Sequence, residues 1–99
     1  MAVMSESIEI VDAPERGRFE LRVDGVLASV ADYMDAADGR RIFPHTQTAP
    51  EHGGRGLGTQ VVRAALDEAV ASGRSIVPAC PFVLAIVAKD EDAYGALVA

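Results

Sequence analysis

Two side chains of this sequence, Cys80 and His45, could take part in acyl or proton transfer. A thiolate is a nucleophile, and an imidazole exchanges a proton near neutral pH. Cys80 precedes Pro81, a residue typical of the first position of a helix, and a helix N-terminus can lower a thiol's pKa. Each residue alone also has an ordinary structural interpretation, as a small core residue or a hydrogen-bonded imidazole. Because both lie on strands that flank one crossover, we expect them to be neighbours in an active site.

A glycine-rich stretch follows His45, and residues 45 to 58 read HTQTAPEHGGRGLG. The pattern predicts the end of a strand, a loop and then a helix. This arrangement leaves free backbone N–H groups at the helix N-terminus, where the helix dipole also favours an anion such as phosphate. The guanidinium of Arg55 is well placed to pair with such a phosphate. An ordinary loop that uses glycine for tight geometry is the alternative interpretation.

Several well-known motifs are absent. The chain has no GxxxxGK[ST] sequence, and the dinucleotide fingerprint fails because Thr59 or Val61 stands where its last glycine is required. It has no GxSxG elbow either. His52 is expected to be a solvated loop residue. No cluster of Cys, His and carboxylates has metal-ligand spacing, so we predict no metal site.

Alternating apolar residues predict the strands. Phe19, Leu21 and Val23 alternate with charged residues, which indicates a strand with one buried face. Asp24-Gly25 is a strong hairpin signal and leads into a partner strand that ends near Tyr33.

Three further segments complete a predicted antiparallel meander. Ile8 to Val11 is a candidate first strand, and residues 35 to 40 form a turn. Arg41 to Thr48 is the next strand, in which Pro44 indicates a bulge or an edge position.

A helix is predicted from Leu57 to Ser72, with Gly73 ending it. Arg63 and Asp67 are spaced to pair on its polar side. The predicted apolar stripe consists of Val62, Leu66 and Val70, flanked by Val61, Ala65 and Ala69.

The last quarter of the chain is harder to assign. Ser75 to Ala79 is predicted as a short buried strand, and a strand–helix–strand crossover makes it parallel to the strand before the helix. Periodicity does not separate helix from strand in the apolar segment after Pro81; we predict a helix. A last short helix follows the acidic residues 90 to 92.

Composition sets broad limits. Ninety-nine residues, 49% of them apolar, predict a single α+β domain spanning 1–99, with its core at about 8–98. The net charge of −6 argues against nucleic-acid and anionic-membrane partners, although it could attract a basic substrate. Cys80 has no partner for an internal disulfide, and residues 1 to 10 show no signal peptide. The apolar run at 76–88 is too short to span a bilayer. These features predict a cytoplasmic protein.

Four sequence segments together carry a resemblance: HT at 45–46, RGLG at 55–58, VVRAALDEA at 61–69 and VPACPF at 77–82. The chain resembles the small single-domain N-acetyltransferases of the GNAT superfamily, from the first hairpin to Tyr94. The resemblance implies an antiparallel meander plus a β-α-β crossover, with acetyl-CoA in a splay between two strands. It implies that Thr46, Gln47 and Thr48 line the pantetheine arm and that Cys80 lies near the acetyl group. The pyrophosphate-binding residues implied are Gly53, Gly54, Arg55, Gly56, Leu57, Gly58 and Thr59.

One residue departs from the superfamily pattern Q/R-x-x-G-x-G/A, because Gly53 replaces its first side chain. The backbone donors that bind an anion are unaffected by this change. The chain is also shorter than typical members, which suggests a large acceptor such as a protein amine.

The predicted function is acetyl-CoA-dependent N-acetyl transfer to an unidentified amine, by direct attack with His45 as the base. A covalent route through Cys80 is the alternative mechanism. A CoA-binding regulatory module without turnover is the alternative function. A purely structural domain would leave the glycine turn unexplained.

Overall fold

The structure is a computed structural model that describes residues 6–99, so half of the segment inspected for a signal peptide lies outside the described residues. A five-stranded sheet of order β1-β2-β3-β4-β5 carries three α-helices. The strands are β1 (Ile8–Ala13), β2 (Arg18–Val23), β3 (Val26–Asp35), β4 (Arg41–Thr48) and β5 (Ile76–Val77). The helices are α1 (Leu57–Ser72), α2 (Pro81–Lys89) and α3 (Glu91–Tyr94). Short 3-10 turns lie between β1 and β2 (Pro14–Arg16), between β4 and α1 (Pro50–His52) and after α3 (Gly95–Leu97).

The predicted meander and crossover are both confirmed. β1 to β4 pair antiparallel, and β4 pairs with β5 in parallel. Asp24 and Gly25 have φ values of 51° and 83°, which gives the β2–β3 turn the two positive φ angles of a type I′ hairpin. Pro81 begins α2, so the apolar segment after it is a helix, as predicted.

β5 is shorter than the predicted strand at 75–79. It pairs with β4 only at Ile76 and Val77, and Pro78 then has no N–H to continue the ladder. The N–H of Cys80 donates to the Phe43 carbonyl at 2.8 Å, after which the chain turns into α2. Among residues 6–99, the C-terminal half of β4 therefore has no strand beside it on the β5 side.

A bulge lies in β4 where Pro44 predicted one. Asp32 pairs with His45 and Met34 with Ile42, so Phe43 and Pro44 together face the single residue Tyr33. The register downstream of the bulge decides which β4 side chains face the helices.

The helix α1 packs on one face of the sheet, with five of the six predicted stripe residues buried. Val70 is the exception, because it is 47% exposed. Each four-residue step rotates about 40° beyond a full turn, so Val70 has moved off the stripe that Val62 and Leu66 define. Ala69 takes the buried position at this end of the helix.

The predicted pair between Arg63 and Asp67 is wrong. Arg63 donates to Asp90 at 3.0 Å, and Asp67 accepts from the Tyr94 hydroxyl at 2.7 Å. Asp90 lies between α2 and α3, and Tyr94 is the last residue of α3, so each side chain of the expected pair finds a partner distant in sequence.

The other face of the sheet, which we call the open face, has no helix on it within residues 6–99. It carries Val11, Arg18, Asp32, His45 and Gln47 among its side chains. None of the helices in the described part of the chain is long and apolar enough to cross a membrane.

Candidate active site

The glycine turn adopts a conformation that depends on glycine. Gly54 and Gly56 both have φ of 75°, and Gly56 is the N-cap of α1 without any capping side chain. The first intrahelical bond runs from the N–H of Gln60 to the Gly56 carbonyl, at 3.1 Å. The preceding N–H groups, from Leu57 to Thr59, therefore have no acceptor within the helix. The predicted anion-ready helix start is present.

A cavity of about 190 Å³ lies against this turn. It is lined by all seven residues expected to hold the pyrophosphate and by Thr48. Two lining residues, His52 and Phe82, had not been assigned to it. The sequence signal that could have identified Phe82 was an aromatic residue placed directly after Cys80 and Pro81.

Gly58 could not be replaced without displacing its neighbours. A Cβ at this position would lie 3.2 Å from both the Phe82 ring and Thr48 Oγ1. Because Gly58 has no side chain, the start of α1 can lie close to β4 and to the half-exposed Phe82.

A second cavity, of about 340 Å³, adjoins the first and shares Thr59 and Phe82 with it. Arg63 and Lys89 are the two cations in its lining. Arg63 already pairs with Asp90, whereas Lys89 forms no salt bridge with another residue of the span 6–99. The two cavities meet at Thr59 and Phe82, and the second continues between the first half of α1 and the length of α2, so that its cationic groups lie away from the turn.

The free edge of β4 offers backbone hydrogen-bonding groups. The N–H of Ala49 donates to Ala28, so alternate residues of β4, including Gln47 and His45, direct their backbone groups toward β3. The N–H and C=O of Thr46 and Thr48 consequently point to the edge that β5 leaves open.

Cys80 lies where this open edge begins, at the N-cap of α2. Its side chain is buried, with Sγ 3.8 Å from Thr46 Oγ1. Burial raises the pKa of the Cys80 thiol, but N–H groups of Val83 and Phe82 and the polar groups of Thr46 outweigh this effect. The resulting pKa lies below the ordinary value.

His45 is not a neighbour of Cys80, contrary to our expectation. Successive strand residues point to opposite faces, and Thr46 points toward Cys80. His45 therefore lies on the open face, exposed and paired across the strands with Asp32. Because their strands are adjacent, His45 and Cys80 lie in the same region of the sheet. The bulge at Phe43 and Pro44 decides that the His45 side chain lies on the opposite face of the sheet from Cys80.

Arg55 and His52 are neighbours beside the turn. Nη1 of Arg55 lies 3.3 Å from His52 Nδ1, and Nη2 donates to Glu6. His52 is half-buried, more enclosed than a freely solvated residue. Within residues 6–99, no three His, Cys, Asp or Glu side chains converge as a metal site.

A comparison with family models matches residues 18–97 to the family described as GCN5-related N-acetyl-transferase. None of the curated proteins compared with the chain matches it. The matched span contains the hairpin, the glycine turn, the crossover and Cys80, and the mixed sheet with three helices is consistent with that fold. The chain belongs to the GCN5-related N-acetyltransferase family.

Proposed function

We propose that the protein moves the acetyl group of acetyl-CoA to an amine nitrogen by direct attack. The observation that carries this proposal is the continuity of the site. The unpaired N–H groups at the start of α1 adjoin Thr48, the open β4 edge follows, and Cys80 lies beside Thr46. The donor chemistry suits a ligand with anionic phosphates at one end and an amide-bearing arm at the other.

In this proposal the pyrophosphate lies against Gly53 to Thr59. Backbone N–H groups supply most of the binding, so the absent side chain at Gly53 is tolerated. Arg55 adds a guanidinium that matches phosphate geometry. Arg63 and Lys89, in the lining of the second cavity, are suited to a further phosphate of the nucleotide.

The pantetheine arm is proposed to bond to the free edge of β4 through the backbone groups of Thr46 and Thr48. Gln47 contributes differently, because its backbone faces β3 and its side chain lies on the open face. We therefore place Gln47 beside the arriving acceptor.

The acceptor amine is proposed to approach from the open face, since α1 and α2 close the other side of the sheet. Acetyl-CoA, when bound, supplies the acetyl thioester. As the new N–C bond forms, the C–S bond breaks and CoA leaves as the thiolate; the amine nitrogen loses one proton, and His45 is positioned to accept it. Cys80 and Thr46 form the wall on the helix side, where the start of α2 provides backbone N–H groups.

Calorimetry with acetyl-CoA tests the ligand assignment. We expect Arg55→Glu to weaken binding, because a carboxylate replaces the cation beside the phosphates. Arg40→Glu makes the same charge change at an exposed residue before β4, at the opposite end of that strand from the glycine turn, and serves to measure the long-range contribution. Equal acetyl-CoA affinity in wild type and Arg55→Glu would contradict the assignment.

Release of CoA thiol in the presence of a panel of amines, including a lysine peptide, tests turnover. We expect transfer to at least one amine, a large loss in His45→Ala, and measurable transfer in Cys80→Ala. Tight acetyl-CoA binding without transfer to any amine would favour the regulatory module instead.

Intact mass spectrometry after rapid acid quench separates the two mechanisms. Direct attack predicts no covalent adduct. The lowered pKa of the Cys80 thiol supports the rival route, in which Cys80 attacks the thioester carbon and CoA leaves as the thiol. An adduct of about 42 Da that is absent in Cys80→Ala and is discharged by an amine would establish that route.

A further inference from the structure

Glu6 places a carboxylate on the arginine of the anion-binding turn. It accepts a hydrogen bond from Nη2 of Arg55, a residue that lines the cavity at the glycine turn. Glu6 is 49 positions away in the sequence, and it lies outside residues 18–97, the span that matches the family. This contact is therefore a feature of this chain's own N-terminal segment.

The segment that carries Glu6 is held in place by its neighbour. The N–H of Ser7 donates to Asp24 Oδ1 at 2.9 Å, and the N–H of Asp24 donates to the Ser7 carbonyl at 2.8 Å. These two bonds tie the residue next to Glu6 to the β2–β3 hairpin, at the end of the sheet where the glycine turn lies. The carboxylate is thus delivered to Arg55 by an anchored backbone.

A carboxylate and a phosphate oxygen are alternative partners for the same guanidinium. With Glu6 in place, a phosphate arriving at the turn meets a negative charge and an arginine whose outer N–H is already engaged. Binding must then break the Glu6–Arg55 pair or accept the repulsion between two anions.

We propose that Glu6 is an internal competitor for phosphate at Arg55, and that it lowers the affinity of the turn for CoA. The inference rests on the proposed function, because it takes the turn to be the CoA phosphate site. The pair is partly exposed, with side-chain exposures of 36% for Arg55 and 47% for Glu6, so the effect is modest and is screened by salt.

The test is calorimetric titration of the full chain with CoA. Glu6→Gln keeps the shape of the side chain and removes its charge. Glu9→Gln is the matched control, because it changes the net charge by the same amount. Glu9 is an exposed carboxylate in β1, opposite Arg22 of β2. Glu6→Gln in an Arg55→Gln background isolates the pair, and pantetheine, which lacks phosphates, serves as a second ligand.

We expect Glu6→Gln to tighten CoA binding by up to about five-fold at low salt, with a smaller gain at about 0.15 M salt. Glu9→Gln should change affinity less, pantetheine binding should not change, and the gain should vanish when Arg55 is Gln. Unchanged or weaker CoA binding in Glu6→Gln would overturn the inference, as would a gain that persists without Arg55. If wild type binds CoA with either result, the assignment of the turn as the CoA phosphate site stands; if no variant binds CoA, both that assignment and the inference fall.

Discussion

Cys80 shows how a single residue acquires its chemistry from its surroundings. Its thiol is buried, which opposes ionisation, yet it lies at the start of a nine-residue helix and beside Thr46. The polar groups act on the thiolate from two directions, the backbone of α2 and the edge of β4. A lowered pKa of the Cys80 thiol is consistent with either mechanism, because the groups that lower it would also stabilise a thiolate leaving group at this point.

Replacing Thr46 by Val should raise the pKa of Cys80. The substitution removes the hydroxyl near Sγ and keeps a β-branched side chain of similar size. Ultraviolet absorbance of the thiolate against pH gives the pKa, with Cys80→Ala as the baseline.

Thr48→Val is the control for that titration, because the Thr48 hydroxyl shares a hydrogen bond with Ser29 Oγ at 2.8 Å, whereas the Cys80 thiol contacts the Thr46 hydroxyl. The same shift in both variants would mean that the Thr46 hydroxyl is not the cause.

In the proposed function, the glycine turn is the element that decides whether the phosphates of the ligand can approach. Its left-handed residues expose backbone N–H groups without a covering side chain, and the same conformation recurs at Gly39 in the β3–β4 turn. Gly56 and Gly39 have φ of 75° and 91°, and a Cβ at either would meet nothing within 4 Å. An alanine would therefore be similarly strained at both positions, but only Gly56 lies in the glycine turn.

Gly56→Ala and Gly39→Ala should destabilise the protein by similar amounts, about 1 kcal/mol or somewhat more, because both put a Cβ at positive φ. Only Gly56→Ala should weaken acetyl-CoA binding. Thermal melts and calorimetry on both variants check this. Equal losses of acetyl-CoA affinity in the two variants would mean that reduced stability, and not the location of Gly56, weakens binding.

Helix α1 is the element that holds the turn against the sheet. Leu66 is fully buried on its sheet-facing side, whereas Val70, one turn later, is 47% exposed. The helix therefore presents two apolar residues, spaced four apart, to different environments.

Leu66→Ala should lower the free energy of unfolding by about 2–5 kcal/mol, as expected for a large cavity in a small core. Val70→Ala should cost much less, below about 1 kcal/mol, because its side chain is half in solvent. Urea unfolding of both variants measures the difference. Equal losses would show that α1 packs with a different face.

At the scale of the whole molecule, the open face carries its own charge network. Glu20 is fully buried there and accepts hydrogen bonds from Arg16, Arg18 and Arg22, at 2.7 Å, 2.8 Å and 3.0 Å for the shortest contact with each. The hydrogen bond from Arg16 is the main reason that the pKa of Glu20 falls to about 2, with Arg18 and Arg22 contributing and burial opposing. The three arginine side chains thus surround a buried carboxylate on the open face.

This lowered pKa makes a definite prediction for stability against pH. The folded state holds Glu20 ionised more strongly than the unfolded chain, whose Glu pKa is about 4.3. The stabilisation is therefore complete above that value and is lost as pH falls toward 2.

Urea midpoints at neutral pH and near pH 3 should show a larger loss for wild type than for Glu20→Gln, which has no carboxyl at this position to titrate. The lowered pKa of Asp35, caused mainly by its hydrogen bond to Arg41, contributes in both proteins and cancels in the comparison. Parallel losses in the two proteins would mean that Glu20 is not the group responsible.

The sequence alone determined the features that depend on near neighbours. The Asp24-Gly25 hairpin, the bounds of α1 at Leu57–Ser72 and the start of α2 at Pro81 follow from turn chemistry, periodicity and missing N–H groups. The glycine turn that leads into α1 could be predicted for the same reason. The local pattern predicts only an anion; the family resemblance, now supported by the match over residues 18–97, made acetyl-CoA the expected ligand.

The tertiary structure alone decided which side chains meet. The bulge at Phe43 and Pro44 sets the face on which His45 lies, and it cannot be read as a register from one strand's sequence. Arg63 and Asp67 find partners near the end of the chain, and Glu6 reaches Arg55 across 49 positions. Such contacts arise because packing brings together segments whose separation along the chain carries no periodic signal, so only the folded molecule defines them.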